Sequence, residues 1–432
     1  MHLDPFGDTY STDPAAVWRQ MLASGNRVVF DSELDLWLIA GHDLARGVLA
    51  DTRRFSSTST VTPSQPLNDI AAAILARLDA PPVAVTADPP RHARARAALT
   101  AVFANTPLRT EELWGDLVRR RAGELSDNLA HQVAATPWPD VDLVELFCSR
   151  LPLYVMLDVL GIPADDRAQI AAWADNFSAL IWGQLDDDEQ ISAANGLLAL
   201  WDFCRDVVVL RADIHLDRQP SGLIGDLLRY RGGNDHRLTL PETAALVLNL
   251  LIAGWESTAA ALAHALDHAL TDRGRWAQLA VDDHYAAIHA EEALRHSPAI
   301  DGWERIATVD VDLDGVRIPA GSRCLILIGA ANHDPSVFDQ PETFQPSRAR
   351  LSQHLGFGAG VHHCIGAALA RLELTIALTT LARRLPGLTL ATGFDRRYRP
   401  STTMRSHTAL PATVVPSGCP VAHGRLPARG HR

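Results

Sequence analysis

The chain has 432 residues, 47% hydrophobic and 21% charged, and its 39 Lys+Arg against 51 Asp+Glu give a formal net charge of −12. This is globular composition with material for a large core, and the acidic balance argues against nucleic acid as a partner. The start, Met-His-Leu-Asp-Pro-Phe-Gly-Asp, lacks the basic and apolar regions of a secretory leader. The longest apolar run, Ala244 to Trp255, is interrupted by Asn249 and reads as too short for a bilayer. Five cysteines, at 148, 204, 324, 364 and 419, are odd in number and scattered, which suits a reducing cytoplasm without a disulfide framework. A cytoplasmic protein without a membrane segment is expected.

In chain order, the alternating segments Arg27–Asp31 and Leu36–Ala40 predict two strands, and Ser56–Thr62 is a Ser/Thr-rich loop. From Pro90 to Ala290 the pattern is helical, broken at Pro137-Trp138-Pro139, Gly161-Ile162-Pro163 and Gly232-Gly233. Near its start, His92 and Arg96 stand four apart after Asp88-Pro89-Pro90, so a helix puts both on one face, able to grip one anion together. Taken alone, a surface helix with a basic side explains them better. Thr239-Leu-Pro-Glu242 is a capping box that opens a helix running to Leu270. Inside it lies Ala253-Gly254-Trp255-Glu256-Ser257-Thr258, where a glycine, an acid and two hydroxyls are locally unfavourable. Such inconsistency marks a functional stretch or a kink with solvent-linked polar groups.

Further on, Glu292 and Arg295 share a helical face, which in isolation is an ordinary exposed ion pair. Strand character returns from Val309 to Ile328, and Asn332–Arg350 is polar, Pro-containing and irregular. No linker divides residues 1–415, which read as a single unit. The tail 416–432, rich in Pro, Gly and Arg, is expected to be mobile.

The densest stretch is Phe357 to Glu373, where three glycines, two histidines and a cysteine precede a helical run from Ala367 to Leu385. Cys364 therefore sits just before a helix N-terminus, whose free N–H groups and dipole favour a thiolate. Gly358, Gly360 and Gly366 allow sharp turns and close approach of a large flat object. A lone buried cysteine, a zinc site and a dinucleotide loop are the alternatives. The adjacency of His362, His363 and Cys364 disfavours tetrahedral zinc, and Gly358-Ala-Gly360 lacks the third glycine of a dinucleotide loop.

Phe357, Gly358, Gly360, His362, Cys364, Gly366, Leu369, Ala370, Arg371 and Glu373 match, position for position, the haem-binding signature of the cytochrome P-450 family. The chain resembles its soluble bacterial branch along nearly its whole length. The resemblance implies a mainly α fold with a small β-rich lobe, in which Cys364 is the metal ligand of haem b and Phe357, Gly358 and Gly366 surround it. It implies that His92, Arg96, Arg305 and His362 hold the haem propionates. Gly254 would leave room for dioxygen, Glu256 would be the distal acid, and Ser257 replaces a usual threonine, with Thr258 as a neighbouring hydroxyl. Glu292, Arg295 and Arg348 would form a buried structural network.

Dioxygen as co-substrate and electrons from NAD(P)H through a ferredoxin and its reductase are implied, with a basic docking face near Arg91 and Arg94. The protein is expected to act as a monomer on a small organic substrate, by C–H hydroxylation or epoxidation in bacterial secondary metabolism. Trp182, Trp255, Trp303 and Met404 fall in or near the implied substrate pocket. Aromatic coupling, desaturation and a non-catalytic haem sensor or partner are the alternative readings. Cys419-Pro420 resembles the short element of haem sensors, on the strength of a dipeptide only.

Overall fold

The computed structural model describes residues 2–103, 106–135, 141–174 and 177–414. The tail expected to be mobile, with Cys419, and the expected break at Pro137–Pro139 lie outside the described residues.

The architecture is mainly helical, with a small sheet-rich lobe, as the resemblance implies. The two predicted strands, Val28–Asp31 and Leu36–Ile39, pair antiparallel and open a five-stranded sheet. The sheet continues through Arg323–Leu327 and Gly302–Ala307 to the two-residue edge strand Phe55–Ser56. In Gly302–Ala307, Trp303 and Arg305 are two apart, so the pleat sends both side chains to the same face. Arg305 pairs with Cys324 in register.

The helical part is organised around Leu240–Leu270. Its capping box forms: Glu242 N–H donates to Thr239 Oγ1 at 3.2 Å, and Thr239 N–H donates to Glu242 Oε2 at 2.9 Å. At 31 residues this helix is, by length and composition alone, long and apolar enough to cross a membrane, longer than the apolar run suggested. However, 56% of its most apolar window is buried inside the protein. It is a core helix. The helices Pro107–Ala135, Arg150–Leu160, Asp187–Ala212 and Ala367–Arg384 share its hydrophobic core, which includes Leu151, Leu251, Leu262, Leu374 and Leu378.

One place on the central helix breaks this burial. Ala253 is exposed and residues 254–257 are half-buried, although Leu250 and Leu251 before them and residues 258–267 after them are buried. An opening therefore reaches the middle of a core helix. Between the sheet and the last long helix runs the predicted irregular stretch, short helical turns and bends from His333 to Phe357.

A buried basic cluster around the Cys364 loop

The loop closes on itself through Cys364 N–H, which donates to Phe357 O at 2.9 Å, and the helix Ala367–Arg384 begins after its N-cap Gly366. Gly358 holds φ +69°, a left-handed conformation suited to glycine, and a Cβ there would meet nothing within 4 Å. A Cβ on Gly366 would lie 3.8 Å from Cys364 Sγ, so that residue borders the sulfur directly. The Phe357 ring is on the other side of the loop, under the Arg371 guanidinium at 4.4 Å from its centroid. Arg371 in turn bonds Glu291 through Nε at 2.7 Å and through a second nitrogen at 2.8 Å.

The Cys364 side chain is solvent-exposed, yet protein surrounds it at longer range, so its sulfur faces an internal opening rather than the outer surface. Burial pushes the thiol up, outweighing Gly366 N–H, Arg96 and Arg371, which pull it down. The thiolate expected from the helix terminus is thus not favoured by the protein groups alone, because loss of water costs the charged sulfur more than Gly366 N–H and the two arginines return. A bound metal deprotonates such a thiol outright.

Four basic side chains converge beside this sulfur. Arg96, on helix Arg91–Val102, donates to His363 O at 2.8 Å. His92, one turn earlier, is buried with its ring 4.2 Å from that of His362. His362 Nε2 lies 3.0 Å from Ser57 Oγ. Arg305 is 2% exposed, and it donates to Glu304 O at 2.8 Å and to Thr60 Oγ1 at 3.4 Å.

None of the four forms an ion pair with a carboxylate among the described residues; Asp88 instead accepts from Ser57 N–H at 2.9 Å and from Ser56 Oγ. The electrostatics record the strain. Burial, then His92 and Arg305, lower His362 to about 4, and burial lowers Arg305 to about 10. Burial and Arg96 lower His92, and burial lowers Arg96. Asp88 opposes these shifts at His92, Arg305 and His362 from a distance, but no carboxylate pairs directly with the two guanidiniums, an arrangement that is costly unless an anion is bound. The donor set fits a dianionic cofactor: two guanidiniums for carboxylates, two imidazoles, and a sulfur for a metal. A shallow surface depression lined by His92, Ala93, Arg96, Ala97, Gly360 and Val361 lies on the solvent side of this cluster.

On the central helix, Ser257 Oγ donates to Ala253 O at 2.7 Å, which leaves its lone pairs free to accept. At about 100° per residue, Ala253, Glu256 and Ser257 share one face of the helix. Trp255 is turned to the opposite side, and its indole N–H donates to Ser149 O at 2.8 Å. It ties the central helix to the start of Arg150–Leu160. A Cβ on Gly254 would lie 2.5 Å from Met156 Sδ, so its smallness permits close packing on helix Arg150–Leu160. Thr258 is buried. Glu256 accepts from Ser178 Oγ, a partner that sequence reasoning missed.

Trp182, Trp303 and Met404 do come together, in one apolar cluster with Phe177 and Leu180. The two tryptophan rings are 6.0 Å apart, and the Trp182 indole N–H is used by Thr60 O at 3.1 Å. Away from the site, Glu292 receives Arg295 through two bonds of 2.8 Å and Arg348 at 3.3 Å, all three buried. The two arginines also reach Asn332, Gln340 and Thr343 carbonyls in the irregular stretch. Arg94, expected on a docking face, is instead ion-paired to Glu242 at the start of the central helix, while Arg91 is exposed. Ser57, Thr60 and Asp88 were missed as members of the basic cluster; the Ser/Thr-rich loop was the signal.

A family model described as Cytochrome P-450 matches residues 284–386. The chain is 31% identical over 415 residues to the cytochrome P-450 monooxygenase PikC of Streptomyces venezuelae, covering 95% of this chain and 93% of that one. The chain belongs to the cytochrome P-450 family. The mycinamicin IV hydroxylase/epoxidase of Micromonospora griseorubida is 33% identical over 362 residues, 82% of this chain and 83% of that one. Among solved structures, a type IV self-sufficient cytochrome P-450 monooxygenase superposes with TM-score 0.88 at 29% identity, covering 97% of this chain but 53% of that one. Cytochrome P-450 CREJ bound to (4-ethylphenyl) dihydrogen phosphate gives TM-score 0.85 at 27% identity, over 93% of this chain and 97% of that one. As a P-450 the protein is a haem-thiolate monooxygenase. It uses haem b, dioxygen and NAD(P)H-derived electrons delivered by redox partners to insert one oxygen atom into a small organic substrate.

Proposed function

We propose that Cys364 is the thiolate ligand of haem b, that His92, Arg96, Arg305 and His362 hold its two carboxylates, and that Phe357, Gly358 and Gly366 shape its seat. The haem, when bound through a thiolate, supplies the oxygen activation and favours O–O cleavage. The observation that carries this assignment is a largely buried basic cluster in which no carboxylate is ion-paired to either guanidinium, set beside an accessible sulfur. Gly366 N–H and the loop geometry orient the sulfur. Glu256 takes protons from solvent water and carries them to the opening on the central helix, where Ser257 Oγ, whose own hydrogen is engaged by Ala253 O, acts as a hydrogen-bond acceptor. Thr258, buried one position on, supports this segment. Glu292, Arg295 and Arg348 pin the irregular stretch that leads into the cysteine loop.

Trp182, Trp303 and Met404 form an apolar wall with no free indole donor from Trp182, which favours a hydrophobic, aromatic or otherwise flat substrate. Residues 1–415 act as one unit, a cytoplasmic monomer served by a ferredoxin and its reductase. The relatives named as a monooxygenase and as a mycinamicin IV hydroxylase/epoxidase support a role in secondary metabolism, by hydroxylation or epoxidation. The test is the reduced carbon monoxide complex of the purified protein. A red-shifted thiolate Soret band, lost in Cys364→Ser and weakened in haem content by Arg305→Leu, is the expected result. Retention of that band in Cys364→Ser overturns the ligand assignment.

A further inference from the structure

The Ser/Thr-rich turn at residues 56–60 joins the two halves of the basic cluster. It leaves the edge strand Phe55–Ser56, where Ser56 pairs with Ile306, next to Arg305. Ser57 Oγ lies 3.0 Å from His362 Nε2, and Thr60 Oγ1 accepts from Arg305 at 3.4 Å. The turn closes through Thr60, whose N–H and hydroxyl both donate to Ser57 O, at 3.2 and 2.7 Å. Ser57 and Thr60 are buried, so they support His362 and Arg305 from the protein side.

Asp88 holds this turn from outside. Its carboxylate accepts from Ser57 N–H at 2.9 Å and from Ser56 Oγ. An aspartate just ahead of a helix ordinarily caps it, but helix Arg91–Val102 has no side-chain cap. Only the Asp88 carbonyl serves that helix, accepting from His92 N–H at 2.9 Å. One residue therefore ties the helix carrying His92 and Arg96 by its backbone, and the turn behind His362 and Arg305 by its side chain.

The charge of Asp88 does not by itself account for its place. A carboxylate beside a site for carboxylates repels the guest and draws on the same cations. We propose that Asp88 is a positioning residue for cofactor binding: its hydrogen bonds hold the turn 56–60 so that Ser57 fixes His362 and Thr60 fixes Arg305, and its negative charge is dispensable. Hydrogen bonds to a carboxylate are the strong and directional kind that such a hold requires. This inference rests on the reading that His92, Arg96, Arg305 and His362 hold the haem carboxylates.

The experiment mixes the full-length haem-loaded protein with excess apomyoglobin and follows the rate of haem loss in Asp88→Asn, Asp88→Ala, Ser57→Ala and Arg305→Leu. Asparagine keeps a carbonyl for Ser57 N–H and an amide for Ser56 Oγ, without the charge. Asp88→Asn should stay within about twofold of wild type, while Asp88→Ala should lose haem about tenfold faster, the factor that one hydrogen bond to a charged group supplies. Ser57→Ala should lose haem about threefold faster. In a Ser57→Ala, Thr60→Val background, Asp88→Ala should add less than about twofold, because its route to His362 and Arg305 is already cut. A general loss of stability would instead add in full. Hydrogen–deuterium exchange of residues 56–60 should rise in Asp88→Ala and not in Asp88→Asn.

Equal acceleration in Asp88→Asn and Asp88→Ala, or full additivity in the double-substituted background, overturns the proposal. Where Arg305→Leu loses haem faster and Asp88→Ala does not, this inference alone fails. Where Arg305→Leu retains haem like wild type, the reading of the basic cluster fails, and this inference with it. Should Asp88→Ala yield no haem-loaded protein, Asp88→Asn and Ser57→Ala decide: fast loss in the first, or a wild-type rate in the second, overturns the proposal.

Discussion

Two clusters of basic side chains lie near the irregular stretch, and they are built in opposite ways. In one, Arg295 and Arg348 converge on the Glu292 carboxylate at 2.8 to 3.3 Å, with backbone carbonyls taking their remaining N–H groups. In the other, Arg96, Arg305, His92 and His362 gather with carbonyls and hydroxyls but no paired carboxylate. The first cluster is complete within the chain, and its role is to hold the loop. The second is complete only with an anion from outside, and that is what separates a binding site from a structural ion network of similar composition.

The largest effect expected is on the metal side of the second cluster. Cys364→Ser should reduce monooxygenase turnover to background, with loss of the thiolate Soret band in the reduced carbon monoxide complex. Next come the clusters themselves, compared by denaturant unfolding of the cofactor-free protein. Glu292→Gln leaves two buried guanidiniums unpaired and should cost about 3–5 kcal/mol. Arg305→Leu, which removes a buried cation held down to about 10 by burial, should leave that stability unchanged or raise it while lowering haem affinity at least about tenfold. Equal destabilisation by both substitutions would break the contrast.

Two titrations sharpen it. Asp301 is buried beside Arg405, neither of its carboxylate oxygens has a hydrogen-bond partner among the described residues, and burial raises it to about 7 despite that arginine. Its folded value lies above its unfolded one, so its contribution is full below pH 3.8 and is lost as pH rises through about 7. Asp301→Asn should therefore stabilise the protein at pH 8 relative to pH 5 by roughly 2–3 kcal/mol, read from melts at the two values.

Glu291 shows the reverse sign. Burial opposes its ionisation, but Arg371 and His354 outweigh it and lower Glu291 to about 2. Its contribution is present above pH 4.5 and lost as pH falls through about 2. Glu291→Gln should lose roughly 3 kcal/mol at neutral pH and flatten the acid limb of the stability profile. The smallest effect is expected from Ser257→Thr, which adds a methyl that restricts the hydroxyl rotamer. Coupling of oxygen to product should rise by about twofold, measured as peroxide released, since only rotamer freedom changes.

Much of this was legible before any coordinates, and for specific reasons. The capping box at Thr239 and Glu242 is a three-residue pattern whose bonds are local. The strand pair at Val28 and Leu36 is written in alternation. The signature around Cys364 is long enough to identify the family outright. What was not legible lies where a residue's neighbour is far away in sequence: Gly254 meets Met156, and Trp255 bonds Ser149. Ser57 and Thr60 were signalled only by the Ser/Thr-rich loop, and Ser178 carried no motif at all.

The sequence by itself determined the elements, the family and the order of chemistry-bearing residues along the chain, because helix starts, strand alternation and the cysteine loop depend on neighbours a few positions apart. Only the tertiary structure decided which arginines have no ion-paired carboxylate, that Ser178 reaches Glu256, and whether Cys364 is pushed up or down. Those outcomes follow from desolvation and from partners some 80 to 300 residues away, as in the pairs Ser178–Glu256 and Ser57–His362, and no local pattern encodes them.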